Sequence, residues 1–150
     1  MMSTVHTFVG IAMGLKVTPW PLALALSFLS HFALDLIPHW DFFSFKDEIT
    51  KRDKINAGLD VFTGFVLGSI FIINALPDLK QALVLAGTCA LANLPDALEA
   101  PYVFWGNENW VTITTMKIQH IFHGRAHLPW GVITQLGILA LAIILLIFPK

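Results

Sequence analysis

The sequence predicts an all-α integral membrane protein, a bundle of four to five transmembrane helices that forms a single domain over residues 1–150. Apolar residues make up 56% of the chain and charged residues only 13%, whereas a soluble domain carries about 25% charged residues. The apolar residues are grouped in long segments, and His and Asp side chains recur at the ends of these segments. This pattern predicts a metal site at the helix ends on one face of the bundle.

The first two apolar segments are separated by a proline-rich corner. Residues 4–15 would extend only about 20 Å as a helix, less than the roughly 30 Å hydrocarbon core of a bilayer, so this segment either spans with its flanks or lies half inside. Residues 21–37 form the second predicted helix, which ends before Pro38 because proline disfavours helical geometry in the preceding residue. His6 then begins the first helix, and His31 lies near the end of the second.

Three further apolar segments follow a solvated stretch. Residues 39–56 are rich in charge and are expected to form a surface helix, whose start is indicated by Ser44 and Asp47. Residues 99–129 are expected to form a long polar and aromatic connection. The third, fourth and fifth predicted spans are residues 57–76, 81–98 and 130–148.

If all of these segments cross a membrane, the ionisable side chains collect on one face. The N-terminus, residues 39–56 and residues 99–129 would share that face, which holds every histidine. Its basic residues outnumber those of the other face by six to three. The positive-inside rule therefore favours a cytoplasmic orientation of this face in the cell inner membrane.

The strongest candidate for the site is the stretch of residues 30–41. His31 and Asp35 lie four residues apart and share one face of the second helix, so they can bind one divalent ion or bridge two. His123 and His127 have the same spacing, provided that a helix runs through Gly124. The mixed nitrogen and oxygen ligands suit zinc, with manganese and iron as alternatives. The predicted metal ligands are His6, His31, Asp35, Asp60, Asp96, His123 and His127.

Some of these residues have a simpler explanation. His31 and Asp35 could be a hydrogen-bonded pair that holds two helices together, and Asp60 could cap a helix or form hydrogen bonds inside the bundle. His6 could be an interfacial residue. The convergence of so many ionisable side chains on one face favours the metal site over these separate explanations.

The sequence also argues against several functions. The net charge is −1 and no basic patch interleaved with aromatic residues occurs, so nucleic acid is not an expected partner. The His-Glu-x-x-His motif of zincin proteases and the glycine-rich phosphate loop are absent from the sequence. Membrane lipids, including a lipid-like substrate, are the expected partners.

The motifs resemble those of small prokaryotic integral membrane proteins related to the inner-membrane metal-dependent hydrolases. The resemblance rests on His6, Ser30-His31-x-x-x-Asp35-x-x-Pro38-His39-x-Asp41, Leu94-Pro95-Asp96 and His123-x-x-x-His127. A fainter similarity, carried by the His-x-x-x-Asp spacing, links the chain to the zinc-dependent phospholipase C enzymes. The resemblance implies a membrane-bound hydrolase that uses a divalent metal.

The reaction expected from this resemblance is hydrolysis of a phosphoester in a lipid or lipid-linked substrate at the membrane face. His39 or Asp41 would act as the general base or orient the ligands, and Arg125 would stabilise developing charge. The alternative is a non-enzymatic metal-binding membrane protein, either structural or part of an ion pathway. A metal without an open coordination position would favour the structural version.

Overall fold

The structure is a computed structural model that describes residues 1–42 and 48–148, and these residues form an all-α fold without regular strands. The all-helical prediction is therefore confirmed. The predicted helix start at Ser44 and Asp47 lies outside the described residues. The helices are α1 (Ser3–Lys16), α2 (Trp20–Asp35), α3 (Lys51–Asn74), α4 (Leu79–Trp105), α5 (Trp110–Phe122) and α6 (Trp130–Ile147).

Helix α4 is longer than the sequence predicts. It continues through Pro95 and Pro101 and ends at Trp105. Gly106, the residue after it, has a φ of 66°, a left-handed conformation that glycine adopts without strain. Proline usually ends or kinks a helix because it lacks an N–H. Here α4 packs against α1, α2, α3 and α5, and these contacts outweigh the local preference. The extra turns carry Glu99 into the same region as Asp96.

Helix α5 falls within residues that the sequence predicts to be a connection. Asn109 caps it, since its side chain accepts hydrogen bonds from the backbone N–H groups of Val111 and Thr112. Threonine and isoleucine are frequent in α5, and such β-branched residues have a low helix propensity. Packing against α4 and α2 supplies the stabilisation that the sequence pattern lacks.

Helix α1 packs at the centre of the bundle, where it contacts α2, α3, α4 and α6. A Cβ atom on Gly10 would lie 2.9 Å from the carbonyl oxygen of Thr88, and one on Gly14 would lie 2.7 Å from the Oγ1 atom of Thr88. On α3, Cβ atoms on Gly64 and Gly68 would lie 2.9 and 3.3 Å from a threonine of α1. Glycines four residues apart let helices approach closely, a packing that is common in membranes.

Replacing Gly10 by alanine is expected to lower the free energy of unfolding by about 1–3 kcal/mol, because the new Cβ atom meets backbone that cannot move aside easily. The matched control is Gly137→Ala on α6, where a Cβ atom has no neighbour within 4 Å. That control is expected to be neutral or to stabilise the helix by up to about 1 kcal/mol. Unfolding in detergent, followed by circular dichroism, measures both; equal effects would contradict the close packing of α1 on α4.

Helices α3 and α6 have the length and the apolar composition that crossing a membrane requires. They contain 24 and 18 residues, and only 17% of the most apolar part of each is buried. Large apolar side chains cover their exposed faces, including Phe62, Phe65, Ile73, Leu136 and Ile147. Helices α1 and α2 have 14 and 16 residues. The structure thus supports two candidate spans among the described residues, fewer than the four to five that the sequence predicts.

The two ends of the bundle are defined by hydrogen bonds between helices. At one end, Gln135 near the start of α6 accepts from the backbone N–H of Met2 at 3.2 Å and donates to the carbonyl oxygen of Trp40 at 2.6 Å. At the other end, Gln81 of α4 donates to the carbonyl oxygen of Gly14 at 3.0 Å. The first of these ends carries the candidate site.

Candidate metal centre

Two groups of His and Asp side chains at this end of the bundle could each hold a metal ion. Within each group the potential ligand atoms lie within 4.8 Å of one another. We call His6, His31 and Asp96 the first group, and His39, Asp41 and His123 the second group. Asp35 adjoins the first group, because its carboxylate oxygens lie 3.3 Å from Nε2 of His6 and 3.3 Å from Nε2 of His31.

The first group is assembled from three helices. His6 lies in the first turns of α1, His31 and Asp35 lie in the last turns of α2, and Asp96 comes from α4. The rings of His6 and His31 are stacked, with centroids 4.2 Å apart. Nε2 of His31 also lies 3.5 Å from Oδ1 of Asp96. His6, His31 and Asp35 are almost completely buried, so their charges need partners inside the protein.

The hydrogen bond at Nδ1 of His31 determines what its other nitrogen can do. Nδ1 lies 2.8 Å from the carbonyl oxygen of Ala92, which can only accept, so Nδ1 carries a hydrogen. In a neutral ring Nε2 then presents a lone pair, and it faces the carboxylates of Asp35 and Asp96, which are also acceptors. Such an arrangement is repulsive unless a cation lies between them. A backbone carbonyl on the second nitrogen is the usual way that proteins orient a metal-binding histidine.

The surroundings of His6 indicate that a divalent ion, and not protonation of the rings, compensates the facing acceptor atoms of the first group. Neither of its ring nitrogens has a hydrogen-bond partner among the residues that the structure describes, and Nε2 of His31 also lacks one. Protonating both rings would place two imidazolium groups 4.2 Å apart in a buried site, which like-charge repulsion opposes. One metal ion would satisfy both Nε2 lone pairs and the carboxylates together.

The second group repeats the same design. Nδ1 of His39 lies 2.8 Å from the carbonyl oxygen of Ile37, so Nε2 is again free to act as a ligand. This Nε2 atom lies 3.6 Å from Oδ2 of Asp41, and Nε2 of His123 lies 3.3 Å from the same oxygen. The sequence prediction gave His39 and Asp41 a catalytic or orienting role. Their geometry places them as potential ligands together with His123.

The segment after α5 holds the second group in place. The backbone N–H of His39 donates to the carbonyl oxygen of Gly124 at 3.1 Å, and the N–H of Ala126 donates to the carbonyl oxygen of His39 at 2.8 Å. These bonds form an isolated parallel bridge between His39 and Arg125. A Cβ atom on Gly124 would lie 2.5 Å from the carbonyl oxygen of Leu36, so this close approach requires glycine.

This bridge removes the condition under which His123 and His127 would share a helix face. Residues 123–127 do not form a helix, because α5 ends at Phe122 and His123 has an extended backbone. His123 and His127 therefore do not share a helix face, and His127 is exposed and belongs to neither group. The side chain of Arg125 is also exposed and does not line the cavity beside the site, so among the described residues no side-chain contact supports its predicted role.

The charge states of the second group suit metal binding. Burial lowers the pKa of His123, which leaves its imidazole neutral near pH 7. Burial alone would raise the pKa of Asp41, but the Met1 ammonium and the neighbouring histidines together outweigh burial and lower this pKa. The ammonium itself lies 2.6 Å from Oδ1 of Asp35. The carboxylates of the site thus already attract a cation, and the neutral imidazole and ionised carboxylate are the forms that bind metals.

Asp60 lies outside both groups and has another role. Its carboxylate accepts hydrogen bonds from the backbone N–H of Ser3 at 2.5 Å, from the N–H of Thr4 at 3.3 Å and from the hydroxyl of Thr4 at 2.6 Å. These N–H groups begin α1 and have no partner within the helix. A negative charge at a helix N-terminus is also favourable. Asp60 thus anchors the helix that carries His6, and metal binding by Asp60 stays a prediction.

Replacing Asp60 by alanine is expected to lower the free energy of unfolding by about 1–3 kcal/mol, since several buried donors lose their acceptor. The number of zinc ions bound at saturation is expected to stay unchanged, because neither group loses a ligand. Thermal unfolding and metal analysis of the purified variant measure the two effects. A variant of normal stability that has lost one zinc ion would instead make Asp60 a ligand.

A cavity of about 280 Å³ lies beside both groups. Its polar wall includes carboxylates of both groups and His123, and it extends to Glu99 and Gln119, whose side chains are 5% and 4% exposed. Neither residue was predicted as part of the site. Glu99 could have been found from its spacing of three residues from Asp96, which places both on one face of α4. Gln119 could not, because α5 itself was not predicted.

Comparisons of the chain with family models, with curated proteins and with solved structures give no match. The similarity to the inner-membrane hydrolases therefore stays a prediction from the motifs.

Proposed function

We propose that the protein is a membrane-bound, metal-dependent hydrolase that cleaves a phosphoester in a lipid or lipid-linked substrate. The observation that carries this proposal is the second group, which offers three ligand atoms beside a cavity. Catalytic zinc sites typically have three protein ligands and one open position, whereas structural sites have four. The second group is therefore the proposed catalytic centre.

The proposed location is the cell inner membrane, with the site on the cytoplasmic face. Support comes from the exposed apolar faces of α3 and α6 and from the closely packed glycines of α1 and α3. Tryptophans at helix ends near the site are also highly exposed: Trp105 at 78%, Trp110 at 78% and Trp130 at 69%. Tryptophan is enriched where a membrane meets water. In this proposal α1, α2 and α4 complete the bundle within the bilayer.

The first group has a structural role in this proposal. His6, His31, Asp35 and Asp96 together offer four side chains, enough for a closed tetrahedral site. Because these residues lie on α1, α2 and α4, an ion bound there would join three helices. The first group thereby fixes the wall of the cavity against which the substrate lies.

The side chains of the second group explain why an anionic substrate would require the metal. His39, Asp41 and His123 would hold a divalent ion, which when bound lowers the pKa of water and polarises a phosphoryl oxygen. Without added cations, the cavity wall carries three carboxylates, from Asp35, Asp41 and Asp96, against the single ammonium of Met1, and this excess of negative charge repels a phosphoester. A divalent ion would therefore be needed to offset the negative charge of the cavity wall before an anionic substrate could bind.

The experiment that tests this proposal measures hydrolysis of vesicles made from a total bacterial lipid extract, with products identified by mass spectrometry. With zinc or manganese, the purified protein is expected to release phosphorylated or dephosphorylated headgroup products. Hydrolysis is expected to stop when a chelator is added. The His127→Ala variant is the matched control and is expected to behave as the wild type. A protein that binds metal but produces no product from any lipid would contradict the hydrolase assignment.

The first group also favours a second candidate function, a non-enzymatic metal-binding protein. Its three side chains and the adjoining Asp35 could close completely around one ion, and a closed site has no position for a substrate. In that case one metal ion would be bound per chain, and it would depend on His31 but not on His123. Metal analysis of the two alanine variants separates the candidates.

A further inference from the structure

Two buried polar atoms at the cavity are not explained by the metal groups. Oε1 of Glu99 and Nε2 of Gln119 have no hydrogen-bond partner within the described part of the chain. Both side chains are at least nine-tenths buried, and both line the cavity beside the second group. An unpaired buried polar atom is unfavourable, so the pair indicates that a ligand supplies the missing hydrogen bonds.

The chemistry of these two atoms narrows the ligand. A carboxylate oxygen accepts a hydrogen bond, whereas an amide NH₂ donates one. An anion would satisfy Gln119 but would bring no donor to Oε1 of Glu99, and an ammonium group would satisfy Glu99 but not Gln119. A hydroxyl group both donates and accepts, so hydroxyl groups satisfy both atoms.

The rest of the cavity wall is apolar and extends from the site to the outer surface of the bundle. It is formed by small or apolar side chains of α3 and α4, namely Ala57, Val61, Ala97, Ala100, Val103 and Phe104. Val61 is 48% exposed, so this wall reaches the outer face of α3. The same face continues in Phe62 and Phe65, which are 63% and 71% exposed. A ligand in the cavity can therefore extend an apolar chain towards that face.

We propose that Glu99 and Gln119 bind the hydroxyl-bearing headgroup of a lipid, whose chain leaves the cavity between α3 and α4. This substrate assignment rests on the proposed function, because it takes the outer face of α3 to lie in the membrane. The headgroup hydroxyls contact Glu99 and Gln119, which places the rest of the headgroup against the second group. Glu99 and Gln119 are positioning residues and do not bind the metal.

The test uses phosphatidylglycerol as the probe, because its headgroup carries free hydroxyls, and phosphatidic acid as the matched lipid without them. Native mass spectrometry of the zinc-loaded protein measures the binding of each. We expect phosphatidylglycerol to bind more tightly, and the Gln119→Leu and Glu99→Leu variants to weaken it about tenfold, as the loss of one hydrogen bond in a buried site predicts. The variants are expected to keep the zinc content of the wild type and their affinity for phosphatidic acid.

A second pair of variants tests the path of the chain. Val61→Trp narrows the apolar part of the cavity and is expected to weaken binding of both lipids. Its matched control is Leu136→Trp on α6, at a position that is 58% exposed and does not line the cavity. Soluble glycerol 3-phosphate, which has a polar headgroup but no chain, is expected not to displace the lipid.

Three outcomes would overturn the inference. Equal binding of the two lipids by the wild type would remove the role of the hydroxyls, and zinc loss in the Glu99 or Gln119 variants would make these residues part of the metal centre. Displacement of the lipid by glycerol 3-phosphate would indicate a soluble ligand. Failure of the proposed function would look different, because lipid and zinc would bind as expected while no lipid is hydrolysed.

Discussion

The Asp41→Asn variant is expected to lose the metal of the second group and to lower kcat/KM for lipid hydrolysis by more than about 100-fold. Changes in the residues that only orient metal ligands already reduce metal affinity or activity by about 10–100-fold, and Asp41 is itself a proposed ligand. Its Oδ2 atom lies 3.6 Å from Nε2 of His39 and 3.3 Å from Nε2 of His123. Asparagine keeps the shape of the side chain but removes the negative charge.

Metal analysis and lipid hydrolysis measure these two effects in the same preparation. The matched control is Asp78→Asn, the same change at the other end of the bundle, where Asp78 caps α4 by accepting from the backbone N–H of Gln81 at 3.0 Å. Asparagine caps a helix about as well as aspartate, so this variant is expected to resemble the wild type. An Asp41→Asn variant with full zinc content and full activity would remove the second group from the mechanism.

The His31→Ala variant is expected to abolish the stabilisation of the protein by zinc at the first group. In the wild type, zinc at about 100 times its dissociation constant should raise the free energy of unfolding by about 2.7 kcal/mol for each site it fills. Without His31, the first group loses the ring that lies 3.3 Å from Asp35 and 3.5 Å from Asp96. The carboxylates of Asp35 and Asp96 then lose the imidazole nitrogen that lies close to both of them.

Thermal unfolding with zinc and with a chelator measures this loss. The difference between the two conditions should be smaller in His31→Ala than in the wild type, and one fewer zinc ion should be bound. His127→Ala is the matched control, because His127 is exposed and outside both groups. If zinc stabilises His31→Ala as much as it stabilises the wild type, the first group does not hold a metal.

The first group was largely predictable from the sequence because it depends on local spacing and on helix direction. The spacing of His31 and Asp35 places both on one face of a helix, and alternating helix directions bring His6 and Asp96 to the same end. The structure brings these residues together. Neither step required knowledge of loop structure or of side-chain contacts.

The second group was less predictable because it depends on the backbone between helices. His39 and His123 meet through hydrogen bonds to residues 124–126, a contact between distant segments that no local pattern indicates. The capping role of Asp60 likewise depends on how α3 packs against the start of α1. Capping and metal binding are both compatible with the position of Asp60 in the sequence, because no local pattern distinguishes them.

In the fold, too, the features set by local sequence were predictable, whereas those set by packing between distant segments were not. The all-helical class follows from composition and from the long apolar segments, and the structure confirms it. Helix α5 and the last turns of α4 could not be predicted, because packing between helices stabilises them against unfavourable local signals. These are also the elements that bring Gln119 and Glu99 to the cavity.

The central claim is that two metal ions bind at one end of the bundle, and anomalous scattering from crystals of the zinc-loaded protein tests it most directly. We expect two zinc peaks per chain, one among His6, His31, Asp35 and Asp96 and one among His39, Asp41 and His123. A single peak within the first group would support the non-enzymatic alternative. Zinc bound only at exposed positions such as His127, with neither group occupied, would contradict metal binding at this end of the bundle.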